Sequence, residues 1–187
     1  MTATKVNMVY NTGKYLKATL KDVNGKAWAK QTVYIKINGK TYKKTTNAKG
    51  QVSLKITLPV KKSYTATVTY NGNANYVKSS ASAKVVVKKA TPKMTAKKST
   101  FKVKKAKKYT VVLKNNKGKA MKKAKITLTT KVKGKTVKLT VKTKNNGKAT
   151  FNLKKLATAG KYTAKVKFAG NTNFKAVTKT VKITVNK

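Results

Sequence analysis

Tyr64-Thr65-Ala66-Thr67-Val68-Thr69-Tyr70-Asn71-Gly72-Asn73-Ala74-Asn75-Tyr76 is the stretch that decides how this chain folds. Ala66, Val68 and Tyr70 alternate with Thr65, Thr67 and Thr69, a period of two in which one face is apolar and the other polar. That is the pattern of a half-buried antiparallel strand. The strand runs into Asn-Gly-Asn, whose residues suit a tight turn. Ahead of it, Val52, Leu54, Ile56 and Leu58 alternate with Ser53, Lys55 and Thr57, and Val33, Ile35 and Ile37 alternate with Tyr34 and Lys36. Asn-Gly at 24–25, 38–39 and 146–147 predicts hairpin turns, because Asn and Gly tolerate positive φ.

The stretch occurs twice. Tyr162-Thr163-Ala164-Lys165-Val166-Lys167-Phe168-Ala169-Gly170-Asn171-Thr172-Asn173-Phe174 repeats it. Further matches run along the chain. Leu20 to Ala27 answers Leu113 to Ala120, Val33 falls opposite Ile126, Asn38-Gly39 answers Lys133-Gly134, and Asn47 to Gly50 answers Lys144 to Gly147. The offset grows along the repeat at turns, where insertions cost little. Val85 to Lys89 corresponds to Ile183 to Lys187, so the first unit spans 1–89 and the second 90–187, with Ala90-Thr91-Pro92 as a short linker. In the second unit Ala149, Phe151 and Leu153 alternate, as do Ala164, Val166 and Phe168, and Val181, Ile183 and Val185. About seven short strands per unit predict an all-β chain of two tandem immunoglobulin-like antiparallel β-sandwiches. Tyr64 and Tyr162 fit core or corner tyrosines near the start of the penultimate strand, and Phe101, Phe151 and Phe168 fit the core.

Composition narrows the chemistry. Of 187 residues, 48 are basic, every one of them Lys, and Asp22 is the one acidic side chain; His and Cys are absent. No Ser/His/Asp triad, Cys nucleophile or paired-carboxylate site can be built from this set. Zinc lacks its usual ligands and calcium its carboxylates. A lone activated lysine, forming a Schiff base, stays open as a nucleophile. The expectation is a non-enzymatic protein with no cofactor and no metal. Apolar runs are too short for a membrane span, and polar sequence directly after Met1 does not read as a signal peptide.

The lysines recur at outward strand positions and in turns. Their alternation with buried positions argues against a disordered polycation. Their distribution is unequal, with 18 in the first unit and 30 in the second. Lys97, Lys98, Lys102, Lys104, Lys105, Lys107 and Lys108 form the densest run. It reads either as a polyanion-binding edge or as a solvated first strand whose charges discourage edge pairing. Trp28, beside a predicted turn, is a candidate exposed contact. So are Asn71, Asn73, Asn75, Asn171 and Asn173 in the two loops after the penultimate strands. Without Arg there are no bidentate base or phosphate forks. Nucleic acid would then be held only without sequence preference, and a non-specific polyanion or nucleic-acid binder stands as the alternative function.

Tyr-x-x-x-Val-x-Tyr/Phe-x-Gly-Asn-x-x-Tyr/Phe, at Tyr64–Tyr76 and Tyr162–Phe174, resembles the penultimate strand and loop of bacterial-type Ig-like repeats. The Lys/Thr/Val composition and the Gly-Lys-Ala and Asn-Ala-Lys-Gly turns are similar to the repeats of adhesin-like surface proteins of methanogenic archaea. The resemblance covers nearly the whole chain. It implies display at the cell surface, outside the cell, as part of a longer secreted or anchored protein. It also implies a role in adhesion or spacing, with anionic wall polymers, polysaccharides or other cells as partners. It supplies no catalytic motif. Two features depart from the family: no Asn-x-Ser/Thr sequon occurs, and the second unit has no acid to promote a Lys–Asn isopeptide bond. In the first unit only Asp22 could serve, and its turn position assigns it to the turn.

Overall fold

A computed structural model describes all 187 residues, which fold as two compact units, Met1–Lys89 and Ala90–Lys187. Each unit is two facing sheets, antiparallel except for one strand pair, in the immunoglobulin-like arrangement. The first unit holds β1 (Thr2–Ala3), β2 (Val6–Val9), β3 (Tyr15–Thr19), β4 (Thr32–Ile37), β5 (Lys40–Thr45), β6 (Gln51–Lys55), β7 (Lys61–Tyr70) and β8 (Ser79–Lys88). The second holds β9 (Lys93–Thr95), β10 (Ser99–Lys102), β11 (Lys108–Lys114), β12 (Lys125–Val132), β13 (Lys135–Lys142), β14 (Lys148–Asn152), β15 (Gly160–Phe168) and β16 (Val177–Asn186).

The topologies are the same. One sheet has the order β1-β3-β6 and its counterpart β9-β11-β14. The other has the order β2-β8-β7-β4-β5 and its counterpart β10-β16-β15-β12-β13. Eight strands rather than seven result because the opening strand is split. Its first half pairs antiparallel in the small sheet, and its second half crosses over to pair parallel with the last strand, Val6 opposite Val85 and Ser99 opposite Ile183.

The alternation places the core as expected. Val33, Ile35, Ile37, Ala66, Val68 and Tyr70 are buried in the first unit, and Phe151, Leu153, Val166, Phe168, Ile183 and Val185 in the second. Phe101 departs from the expectation, being only half-buried, because its edge strand is covered on one side alone.

The turns are more varied than Asn-Gly suggests. Asn38-Gly39 is a true two-residue hairpin between β4 and β5, with φ of 50° and 75°. Lys133-Gly134 does the same work with a lysine in the left-handed region. Asn24-Gly25 and Asn146-Gly147 do not close two-residue hairpins. The first lies in a loop held by Asp22, whose Oδ1 accepts the amides of Asn24 (3.0 Å) and Lys26 (2.8 Å). Asn115 serves the identical purpose in the second unit, so the turn needs an oxygen and not a charge. Gly147 closes a turn between β13 and β14, which belong to different sheets.

Two tyrosines clasp the chain before the penultimate strand. The Tyr64 hydroxyl donates to the Pro59 carbonyl at 2.9 Å, and the Tyr162 hydroxyl to the Thr158 carbonyl at 2.8 Å. Both are tyrosine corners. Burial pushes the hydroxyls of Tyr64 and Tyr109 above their ordinary 10.0. Their native pKa exceeds the unfolded one, so the stability they carry is intact below pH 10 and lost as pH climbs through the raised values. In a tyrosinate absorbance titration, Tyr64→Phe and Tyr109→Phe should each remove amplitude above pH 10. Loss of amplitude below pH 10 instead would contradict the burial.

Candidate functional site

The loops after the penultimate strands owe their sequence to geometry. Gly72 and Gly170 both have φ of 86°, and a Cβ would stand 2.6 Å from the Tyr76 carbonyl oxygen in one and 2.9 Å from that of Phe174 in the other. Only glycine fits at both positions. Asn73 Oδ1 then accepts the amides of Asn75 (2.9 Å) and Tyr76 (3.0 Å). Asn171 Oδ1 accepts those of Asn173 (3.0 Å) and Phe174 (2.9 Å). Asn73 and Asn171 are therefore turn-forming groups, exposed as Asn71 and Asn75 are, while Asn173 is half-buried.

Trp28 is half-buried rather than open. Its ring packs against Tyr76, centroids 4.4 Å apart, and Tyr70, 5.1 Å apart. Its carbonyl accepts the hydroxyl of the buried Thr46 at 2.7 Å. These aromatics line a cleft of about 170 Å³ together with Leu20, Asp22, Val23 and Val77.

The dense lysine run is divided by its local structure. β10 is an edge strand, and Lys97, Lys98, Lys102, Lys104, Lys105 and Lys108 are exposed. Lys107 is not. It is buried, and its Nζ donates to the carbonyls of Val103 and Lys105, closing the turn between β10 and β11. Lys102, Lys104 and Lys105 gather with Lys187 around a recess of about 330 Å³, and Lys97 and Lys98 lie outside it.

A larger cationic feature comes from no contiguous run. Strand register brings it together on the outward face of the second unit's five-stranded sheet. Thr127 lies opposite Thr140 on one side and Lys167 on the other, and Lys167 opposite Thr178. One step along, Thr129 lies between Lys138 and Lys165. With strands ~4.8 Å apart these rows set threonines side by side with lysines as their neighbours. Lys123 and Lys125 complete a groove of about 910 Å³. The first unit carries Thr67 and Thr69 where the second has Lys165 and Lys167. Of the 48 lysines in the chain, all but Lys44 and Lys107 are exposed. The groove's signal in the sequence is the Lys-Val-Lys of β15 against the Thr-x-Thr of β12, visible only once register is known.

No described protein family and no curated protein matches the sequence. Solved structures do match in fold. Invasin, described as a bacterial integrin-binding protein, superposes with a TM-score of 0.52 at 20% identity over 97% of this chain and 38% of its own. The fold is that of tandem Ig-like repeats. A tetra-tandem repeat from the extending region of a large adhesion protein matches over 99% of this chain and 49% of its own, with 16% identity and a TM-score of 0.49. The D0-D1 domain of intimin matches over 98% of this chain and 96% of its own, with 23% identity and a TM-score of 0.34. This chain spans about half the length or less of the adhesion protein and invasin structures.

Proposed function

We propose that this chain is a non-enzymatic part of a cell-surface adhesin or stalk. Its Ig-like repeats carry an outward cationic surface that holds to anionic wall polymers, glycans or partner cells, and they also space a distal domain. The observation that carries the adhesive half is the groove lined by threonines and by Lys123, Lys125, Lys138, Lys165 and Lys167. A linear polymer with regularly spaced anionic groups suits such a groove, because ammonium side chains are point charges that accept many geometries. The exposed lysines of Lys97–Lys108 add a second cationic edge. The spacing half rests on the tandem architecture, two Ig-like units in one chain. Extracellular display, and an origin like that of methanogen adhesin-like repeats, follow from the sequence resemblance and belong to the same proposal.

Retention on polygalacturonate-coated beads tests this. At ~0.05 M salt the chain should bind, and Lys125→Gln, Lys138→Gln, Lys165→Gln and Lys167→Gln combined should weaken binding more than tenfold, since each neutralised contact forfeits released counterions. Asn71→Ala with Asn75→Ala should leave retention unchanged. Retention that resists high salt yet disappears with the asparagine pair would replace this reading with a specific loop-borne site.

A further inference from the structure

The two units are internal controls for each other, and they differ at one end. In the second unit the segment before β9 is bound into the sandwich. The Ala90 amide donates to the Asn173 carbonyl at 3.0 Å, and the Lys175 amide donates to the Ala90 carbonyl at 2.8 Å. Ala90 is fully buried, Pro92 is buried, and Ala90 pairs in parallel with Phe174. Of the residues first read as a linker, Ala90 is thus bridged to the loop after β15 and Pro92 is buried.

The first unit has the same loop and no such bridge. Met1-Thr2-Ala3 matches Met94-Thr95-Ala96 in sequence, and both lie at the same place in the ladder: Thr2 pairs with Thr19, and Thr95 with its counterpart Val112. The positions that answer Ala90 to Lys93 lie before Met1. The counterparts of Asn173 and Lys175 are Asn75 and Val77. The Asn75 carbonyl and Val77 amide have no backbone partner, and Val77 is 89% exposed. Beside Val77 lies the aromatic cleft already described, bounded on its other side by Leu20 to Val23. Tyr70, on its wall, has a buried hydroxyl with no hydrogen-bond partner, where the second unit has Phe168. Tyr76 is 36% exposed, whereas its counterpart Phe174 is 8% exposed.

We infer that the cleft of Trp28, Tyr70, Tyr76 and Val77 is a docking seat for an extended segment of the Ala-Thr-Pro-Lys type running into Met1. The segment adds to the loop as a strand, its alanine exchanging hydrogen bonds with Asn75 and Val77. A small residue is required because the counterpart position leaves Ala90 no exposed surface. Such a seat ties the residues that enter a repeat into that repeat. The inference rests on the duplication and is independent of the adhesive reading.

The test adds Ala-Thr-Pro-Lys directly before Met1 in the full chain. Amide exchange at Val77 should slow roughly tenfold as its N–H gains a partner. Emission from Trp28, the one Trp of the chain, should move to shorter wavelength as the cleft is covered. The same extension with aspartate in place of the alanine should do neither, because a carboxylate would be buried there. Native circular dichroism with unchanged Val77 exchange and unchanged Trp28 emission overturns the inference. Equal protection by the aspartate version overturns the requirement for a small residue.

Discussion

Raising salt from 0.02 to 0.5 M should raise the melting temperature by about 10 °C, and more for the second unit than for the first. Ordinary proteins set attractive ion pairs against self-repulsion, but here Asp22 is the one acidic side chain facing 48 lysines. Two like charges 10 Å apart in water repel by about 0.4 kcal/mol, and a single unit holds dozens of such pairs. The unfolded chain repels itself as well, so the net effect on stability is a fraction of the sum, on the order of 2 kcal/mol per unit. Each kcal/mol moves the midpoint of a domain this size by roughly 4–8 °C. The second unit carries 30 of the lysines and no acid, and so gains more from screening. Scanning calorimetry at several salt concentrations checks this. A flat or falling trend would show that self-repulsion is not the main electrostatic term.

Phe151→Ala should destabilise the second unit by about 3–5 kcal/mol and leave the first unchanged. Phe151 is fully buried on β14, directly opposite Tyr109 on β11, which is itself buried. Truncation leaves a cavity between the two sheets that neighbouring side chains cannot close without moving strands. A loss of that size removes much of the stability of a domain this small. Trp28 lies in the first unit and the second has no Trp, so fluorescence follows one unit and calorimetry both. The Trp28 transition should stay in place while a second transition drops. A single transition moving as a whole would show that the units unfold together.

Much of the fold was legible because it rests on local pattern. Val68 and Val166 are buried for the reason the alternation gives, and the two tyrosine corners lie where a Tyr ahead of an alternating strand predicts them. What the sequence hid depends on non-local facts. Lys107 looks like its neighbours, and only the carbonyls of the β10–β11 turn make it a buried donor. Asn24-Gly25 and Asn146-Gly147 have hairpin chemistry, yet one is shaped by Asp22 and the other bridges two sheets. The groove gathers lysines from separate strands, which a contiguous run such as Lys97–Lys108 cannot reveal. Ala90 reads as linker because nothing in Ala-Thr-Pro signals that Asn173 and Lys175 will bind it. The asparagines of the Gly-Asn loops are candidates for contact, and the sequence hid that Asn73 and Asn171 also shape their own turns.

On the proposed function the groove's lysines hold an anionic polymer by charge, several of them at once. The dependence of polygalacturonate affinity on salt measures this most directly. With at least four lysines engaged at once, a plot of log affinity against log salt should fall with a slope of about −3 or steeper. A slope near zero, with affinity kept above 0.3 M salt, would contradict it.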